Sequence, residues 1–407
     1  MKLRPEVHGK VPTSTGPGYI PEHPVGPAGN DDWSSGRAGA WSAELANDCA
    51  LLAPLFVRSD VRKRAIDYVH GLLARSGRKN SWWLAERAGH VSPDGIQWLL
   101  TGSRWSADAL RDLVRDHAVR CLGDPGAALV FGEAGFAKKG PKSAGVAGQV
   151  NPTTGRVENC QVGLFAAYVS ARGRTLVDRE LYLPRRGWTD EARRCAEAGI
   201  PDDVCFATKP QLAVRMFNRT VASGTLFTWV AGRELPGTGH ALRDCCDAAG
   251  QPYVLETTAD HRTELAAAGR RCSVRELARL VPEHAFQPLA IGVAPSWAMI
   301  CLGPARTPWL ERFLLVRRGS ADPLDGGYFC CQAPSGISLG ELVAVARDCA
   351  AAALCVAAGR AETGLDDYQV RKWDSWYRHV TLSMFAQAVL AGVRARGVTP
   401  AQFDFSD

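Results

Sequence analysis

Apolar residues recur at three- and four-residue spacing between residues 46 and 122, then change to runs and alternation beyond residue 127. Ala50–Phe56, Ala65–Leu73 and Ala109–Val114 each carry a helical stripe, and Ser92-Pro-Asp-Gly95 before Ile96–Leu100 predicts a capped short helix. Ala128–Phe131, Gln161–Ser170 and Thr175–Leu183 read as strands, the last two joined by a hairpin at Ala171–Arg174. A helix at Lys209–Phe217 precedes a strand at Leu226–Ala231, and a second helix leads to a strand at Pro252–Glu256. Arg312–Arg317 and Gly327–Cys331 resume strand character, and Leu339–Ala358 and Tyr377–Val393 read as closing helices. Three antiparallel strands followed by alternating helix and strand predict an α/β domain with a mixed sheet flanked by helices.

The punctuation divides the chain further. Residues 1–45 are rich in Pro, Gly and Ser and predict a disordered tail, because they bury too little apolar surface to offset ordering. A helical domain is expected over 46–122, a sheet-bearing core over 123–262 and 311–394, an insertion over 263–310 and a tail over 395–407. The net charge of +6 is mild for 407 residues, so it permits nucleic-acid binding without requiring it. Thirteen cysteines are present without any Cys-x-x-Cys pair, which suits small buried side chains in a reducing compartment. With neither a leader-like N-terminus nor an apolar run of spanning length, the expectation is a cytoplasmic chain with no membrane partner. No phosphate-binding loop or nicotinamide fingerprint is present, and neither metal nor cofactor is expected.

Several motifs carry a resemblance. Gly155–Gly163, Asp178–Pro184, Phe206–Pro210, Arg78-Lys-Asn80 and Gly364–His379 together resemble bacterial DDE-type insertion-sequence transposases, from about Leu51 to Val393. The resemblance implies a ribonuclease H-like fold, an N-terminal helical DNA-binding domain and an insertion before the last catalytic acid. In that family two aspartates and a glutamate hold two divalent metals that activate the attacking oxygen. The first aspartate opens Asp-Glu-Thr-Gly-Phe, where this chain has Gly132-Glu-Ala-Gly-Phe136. The second lies in Thr-Gly-Asp-Glu, matched by Ala231-Gly-Arg-Glu234, with Arg233 in its place. The third matches Ala353 or Leu354 within Ala350–Val356. Three neutral or cationic residues at these positions are incompatible with two-metal catalysis. Glu133 and Glu234 each follow a matched position by one residue, which turns them to the opposite face of a strand.

These departures direct the functional expectations. A transposase fold without strand transfer is expected, recruited to bind or transform an anionic small molecule in specialised metabolism. Its substrate-binding candidates are Arg233, Glu133, Glu234 and Trp297, in a vacated pocket beside the old metal positions. Arg233 suits a carboxylate, sulfate or phosphate, or alternatively pairs with Asp178 or Glu180. The uncharged stretch Phe286–Leu302, which includes Trp297, is either a pocket wall or core. Asp178, Glu180 and His240 are the candidate acid–base groups. The alternative is a DNA-binding protein that no longer cuts, using Arg62, Lys63, Arg64, Arg78, Lys79, Lys138 and Lys139. A second copy of the chain is a further candidate partner.

Overall fold

The computed structural model describes residues 31–74, 77, 79–235, 240–265, 269–289, 295–319, 326–398 and 400, with side chains from residue 39 onward. The tail expected over 1–30 lies outside these residues, as does most of the C-terminal tail. Residues 31–45 depart from expectation: they belong to helix α1 (Asp31–Ala50). Its Trp41, Leu45 and Cys49, spaced by four, are buried to 1–2% exposure, which supplies the apolar stripe that the Pro/Gly-rich stretch before it lacks.

Helices α2 (Ser59–Leu73), α3 (Ser81–Arg87), α4 (Asp94–Thr101) and α5 (Ala107–Leu122) follow. Asn80 caps α3 by accepting from the backbone N–H groups of Trp82 and Trp83, and Ser106 caps α5. Their buried faces do not form a core of their own. Tyr68, Leu72, Leu99 and Leu100 join one hydrophobic cluster with Trp376, Phe385 and the sheet. The helical region is thus packed onto the α/β layer along its length.

The main sheet contains β1 (Ala128–Ala137), β2 (Ala147–Val150), β3 (Val157–Ser170), β4 (Gly173–Leu181), β5 (Trp229–Arg233) and β6 (Tyr253–Thr257). Helices α6 (Ala192–Ala198) and α7 (Lys209–Ala222) precede β5, and α8 (Ala241–Ala249) precedes β6. β4, β3 and β1 are antiparallel neighbours, and β1, β5 and β6 run parallel. This is the ribonuclease H-like order, and the fold is a mixed sheet flanked by helices. Side chains alternate between faces. Val130, Ala134, Ala231 and Val254 face the C-terminal helices, whereas Leu129, Phe131, Val230 and Leu255 face α7 and α8.

Beyond β6, a separate hairpin of β7 (Arg262–Leu265) and β8 (Arg270–Ser273) leads to α9 (Val274–Arg279) and the short β9 (Gln287–Pro288). Strands β10 (Ser296–Pro304), β11 (Leu310–Arg318) and β12 (Tyr328–Pro334) then extend the main sheet, β12 pairing with β6. The apolar stretch expected as insertion therefore supplies a sheet strand. Trp297 is core, 3% exposed and 5.7 Å from the Phe329 ring, so it is no wall of a ligand pocket. The intervening residues 290–294 lie outside those described.

The expected helix over 339–358 is two helices, α10 (Leu339–Asp348) and α11 (Ala351–Thr363), separated by a turn at Cys349 and Ala350. α10 packs on β5 and β6 and α11 on β1, β3 and β4, so the turn lets one apolar segment follow the twisted sheet. By length and composition alone Leu339–Thr363 could cross a membrane, but 56% of its most apolar stretch is buried inside the protein. α12 (Trp373–Ala395) closes the fold and is buried along most of its length against α5, β4, α2 and α4.

Candidate functional site

β1 and β5 are in parallel register, with Phe131 opposite Gly232, which sets Gly132, midway along β1, beside Arg233 at the end of β5. A Cβ placed on Gly132 would lie 2.9 Å from the Ala352 Cβ and 3.8 Å from the Ala353 backbone nitrogen. The three positions singled out by the sequence motifs, Gly132, Arg233 and Ala353, therefore do converge. They do not enclose the expected cavity, because the start of α11 lies directly against the strand. Gly132→Ala is expected to cost about 1–3 kcal/mol from overpacking. Ala352→Gly in the same chain should recover part of that loss, as urea melts of the two single variants and the double variant would reveal.

Arg233 has neither of the partners foreseen for it. Its Nε donates to Glu256 Oε2 at 3.1 Å, directly across the β5–β6 pair, and its side chain remains 78% exposed. Asp178 and Glu180 sit on β4, with β3 and β1 between them and β5. They are also not an acid–base pair. Arg219 of α7 donates from Nε to Asp178 at 3.1 Å and reaches Glu180 at 2.6 Å, while Tyr377 donates to Glu180 at 3.1 Å. Burial pulls the Arg219 pKa down, but the two carboxylates outweigh it and hold it above the ordinary arginine value. Both acids tie α7 to the sheet edge. Glu133 is likewise engaged, 2.5 Å from Lys209 Nζ on the face opposite Gly132.

Glu234 and His240 do meet. Glu234 follows β5 with its side chain on the α8 face, and its Oε2 accepts from the Thr257 hydroxyl at 2.6 Å. Its Oε1 contacts His240 Nδ1. Burial raises the Glu234 pKa, but the Thr257 hydroxyl, Arg243 and His240 together bring it below the usual carboxylate value. His261, in the loop after β6, stands 4.7 Å from the His240 ring at 88° and accepts a 2.8 Å hydrogen bond from Arg243. Burial, reinforced by Arg243, pushes His261 down to about 4. The sequence singled out His240 but not His261, whose place depends on the β5–β6 pairing.

Beside this cluster is a cavity of about 230 Å³ lined by Arg243, Arg262, Arg271 and Arg312 with His261, against the carboxylates of Asp247 and Glu264. Arg262 and Arg271 donate to each other's backbone carbonyls across the β7–β8 hairpin. Arg312 Nε is buried without a hydrogen-bond partner among the described residues. A larger, open groove of about 740 Å³ lies elsewhere, lined by Lys142, Arg193, Arg194, Arg371 and Lys372 against Glu191 and Glu197.

The residues proposed for DNA contact divide. Lys79 is 5% exposed and spends its ammonium on the carbonyls of Leu72 and Glu362, with burial lowering its pKa to about 8. It anchors α2 to the end of α11 and cannot face DNA. Arg62, Lys63 and Arg64 lie on α2, where Arg64 pairs with Asp60 at 3.2 Å. Lys138 stacks 3.5 Å over the Tyr368 ring, while Lys139 is exposed. Arg78 lies outside the described residues.

The sheet order defines a ribonuclease H-like protein. A family model described as "DDE superfamily endonuclease" matches residues 51–268, more than half of the chain, which therefore belongs to that family. The chain is also similar to a probable transposase for insertion sequence element IS701 from Microchaete diplosiphon, at 25% identity over 209 residues. That match covers 51% of this chain and 52% of the relative, so the chain spans about half the length of the curated relative it matches.

Proposed function

We propose that this chain is a DDE-fold protein that no longer transfers DNA strands and instead binds a small anion in the arginine-lined cavity. The cavity itself carries the reading. Four guanidinium-bearing side chains outnumber two carboxylates, Asp247 and Glu264, around about 230 Å³ of space, and the forked geometry of arginine matches phosphate, sulfate or carboxylate oxygens. That volume is below the usual range for drug-sized ligands, so it suits one anionic group of a small metabolite rather than a duplex. Glycine, arginine and alanine at positions 132, 233 and 353 support the loss of metal-dependent cutting. His240, oriented by Glu234 and next to Arg243, is the group placed to move a proton if the bound molecule reacts.

Thermal melts with inorganic phosphate, pyrophosphate and a panel of small carboxylates and sulfates test this directly. At least one should raise the melting temperature of the wild type but not of Arg271→Ala or Arg312→Ala. A panel that leaves the wild type unmoved would remove the proposal. The 740 Å³ groove favours a second reading, retained DNA binding. It requires steeply salt-dependent duplex affinity, lost on replacing Lys142 and Arg371.

A further inference from the structure

The two histidines and the glutamate beside the arginine cavity form an arrangement that neither anion binding nor the transposase fold requires. The carboxylate and imidazole donor atoms of Glu234, His240 and His261 all lie within 4.8 Å of one another. We propose that these three residues bind a divalent transition-metal ion of the zinc type.

The donor set selects the metal class. Two imidazoles and one carboxylate suit zinc, cobalt or nickel, whereas magnesium and calcium prefer an all-oxygen shell. Three protein ligands leave a fourth position open, as in zinc sites that bind water or substrate. Thr257 supplies the supporting contact. Its hydroxyl holds Glu234 Oε2 at 2.6 Å and leaves Oε1 turned toward His240.

This site is separate from the positions where the family holds its catalytic metals. Arg233 lies on the α10–α11 face of the sheet with Glu256, and Glu234, one residue on, lies on the α8 face with Thr257 and His240. The single-residue step that removes Glu234 from the former centre therefore delivers it to this one.

Two adjustments are needed on binding. Bonds of about 2.0–2.1 Å in a tetrahedral site set the donor atoms about 3.3 Å apart, so the widest pair must close and the Glu234–His240 contact must open. Side-chain rotation can supply both. Arg243 must also move, because it donates to His261 Nε2 at 2.8 Å and stands 3.9 Å from Glu234 Oε1. In the metal-free chain its guanidinium is the local cation. An alternative partner is at hand in Asp247, which lines the same cavity and has a buried Oδ1 without a hydrogen-bond partner among the described residues. The metal site stands independently of whether the cavity binds an anion.

The test uses the full chain, stripped with a chelator and titrated calorimetrically with zinc, then with cobalt to read the visible absorption of a tetrahedral ion. One zinc per chain is expected. His240→Ala and His261→Ala should each weaken binding at least about tenfold, and Thr257→Val by about 10–100-fold. Arg243→Met, which removes the competing cation, should bind more tightly than wild type. Circular dichroism of each variant separates lost ligation from lost folding, and His261→Asn provides a milder change at the same position. Failure of the wild type to bind zinc stoichiometrically overturns the proposal. Undiminished binding by a folded His240→Ala/His261→Ala double variant does so too, since the metal would then be held elsewhere, for example by cysteines.

Discussion

Replacing Arg219 by methionine is expected to lower the unfolding free energy by about 3–5 kcal/mol, because it strands two buried carboxylates. Asp178 and Glu180 have side-chain exposures of 5% and 12%, and Arg219 is the cation that grips both. The nearest substitutes for Asp178, Arg111 and Arg179, reach it only at 4.0 Å. The Arg179 backbone N–H donates to Asp178 Oδ1 at 2.7 Å and survives the change, but it cannot neutralise the charge. Glu180 retains the Tyr377 hydroxyl, which also supplies no charge. Asp178→Asn added to Arg219→Met should therefore cost much less than the sum of the two single changes, since each removes part of the same uncompensated interaction. Urea denaturation of the four chains completes the cycle. A single-variant loss below about 1 kcal/mol would mark the cluster as an ordinary solvated ion pair.

Asp178 and Glu180 also illustrate what the sequence concealed. Two acids in a strand look like acid–base chemistry until their partner is known, and Arg219 lies about forty residues on, in a helix that crosses the strand. Contacts set by strand order were equally hidden. Arg233 meets Glu256 only because β5 and β6 pair in parallel, and His261 reaches His240 only because the loop after β6 returns over α8. What depended on local period was legible. Side-chain alternation placed Glu133 and Glu234 away from Gly132, and the apolar runs located the strands of the core. Residues 31–45 read as tail because they continue a Pro/Gly-rich stretch, while their helix depends on long-range burial of Trp41 and Leu45. The vacated pocket failed for a steric reason. Small residues on both sides of a former site let helix and strand approach until the space disappears, as Gly132 and Ala352 do.

Acidification from pH 7 to pH 4 is expected to remove about 3 kcal/mol of stability through His379 alone. This residue of α12 is fully buried, with its Nδ1 2.7 Å from the Tyr68 hydroxyl and its Nε2 3.1 Å from the Gly364 carbonyl. A carbonyl can only accept, so Nε2 carries the proton and Nδ1 accepts from Tyr68. Both nitrogens are satisfied in the neutral ring. Protonation would make Nδ1 a donor, turn the Tyr68 hydroxyl from donor to acceptor and leave its hydrogen without this partner, and would bury a charge. Burial accordingly pushes the pKa from 6.5 to about 4. The unfolded chain therefore takes up this proton below pH 6.5 while the folded chain refuses it until about pH 4. Stability is complete above the unfolded pKa and falls with pH across that window, the sign required when the unfolded state binds more protons. His261, pushed down to about 4, and His70 and His117, also lowered, all chiefly by burial, act in the same direction. His379→Asn should be less stable at pH 7 yet lose less on acidification, so that the wild-type and variant curves approach each other toward pH 4. Parallel curves would mean that His379 does not govern the acid sensitivity. The Tyr68–His379–Gly364 connection joins α2 to α12, so acid should loosen the packing of the helical region on the sheet layer before it opens the β1–β5–β6 core. Hydrogen exchange at pH 5 would detect that order as earlier loss of protection in α2 than in β5.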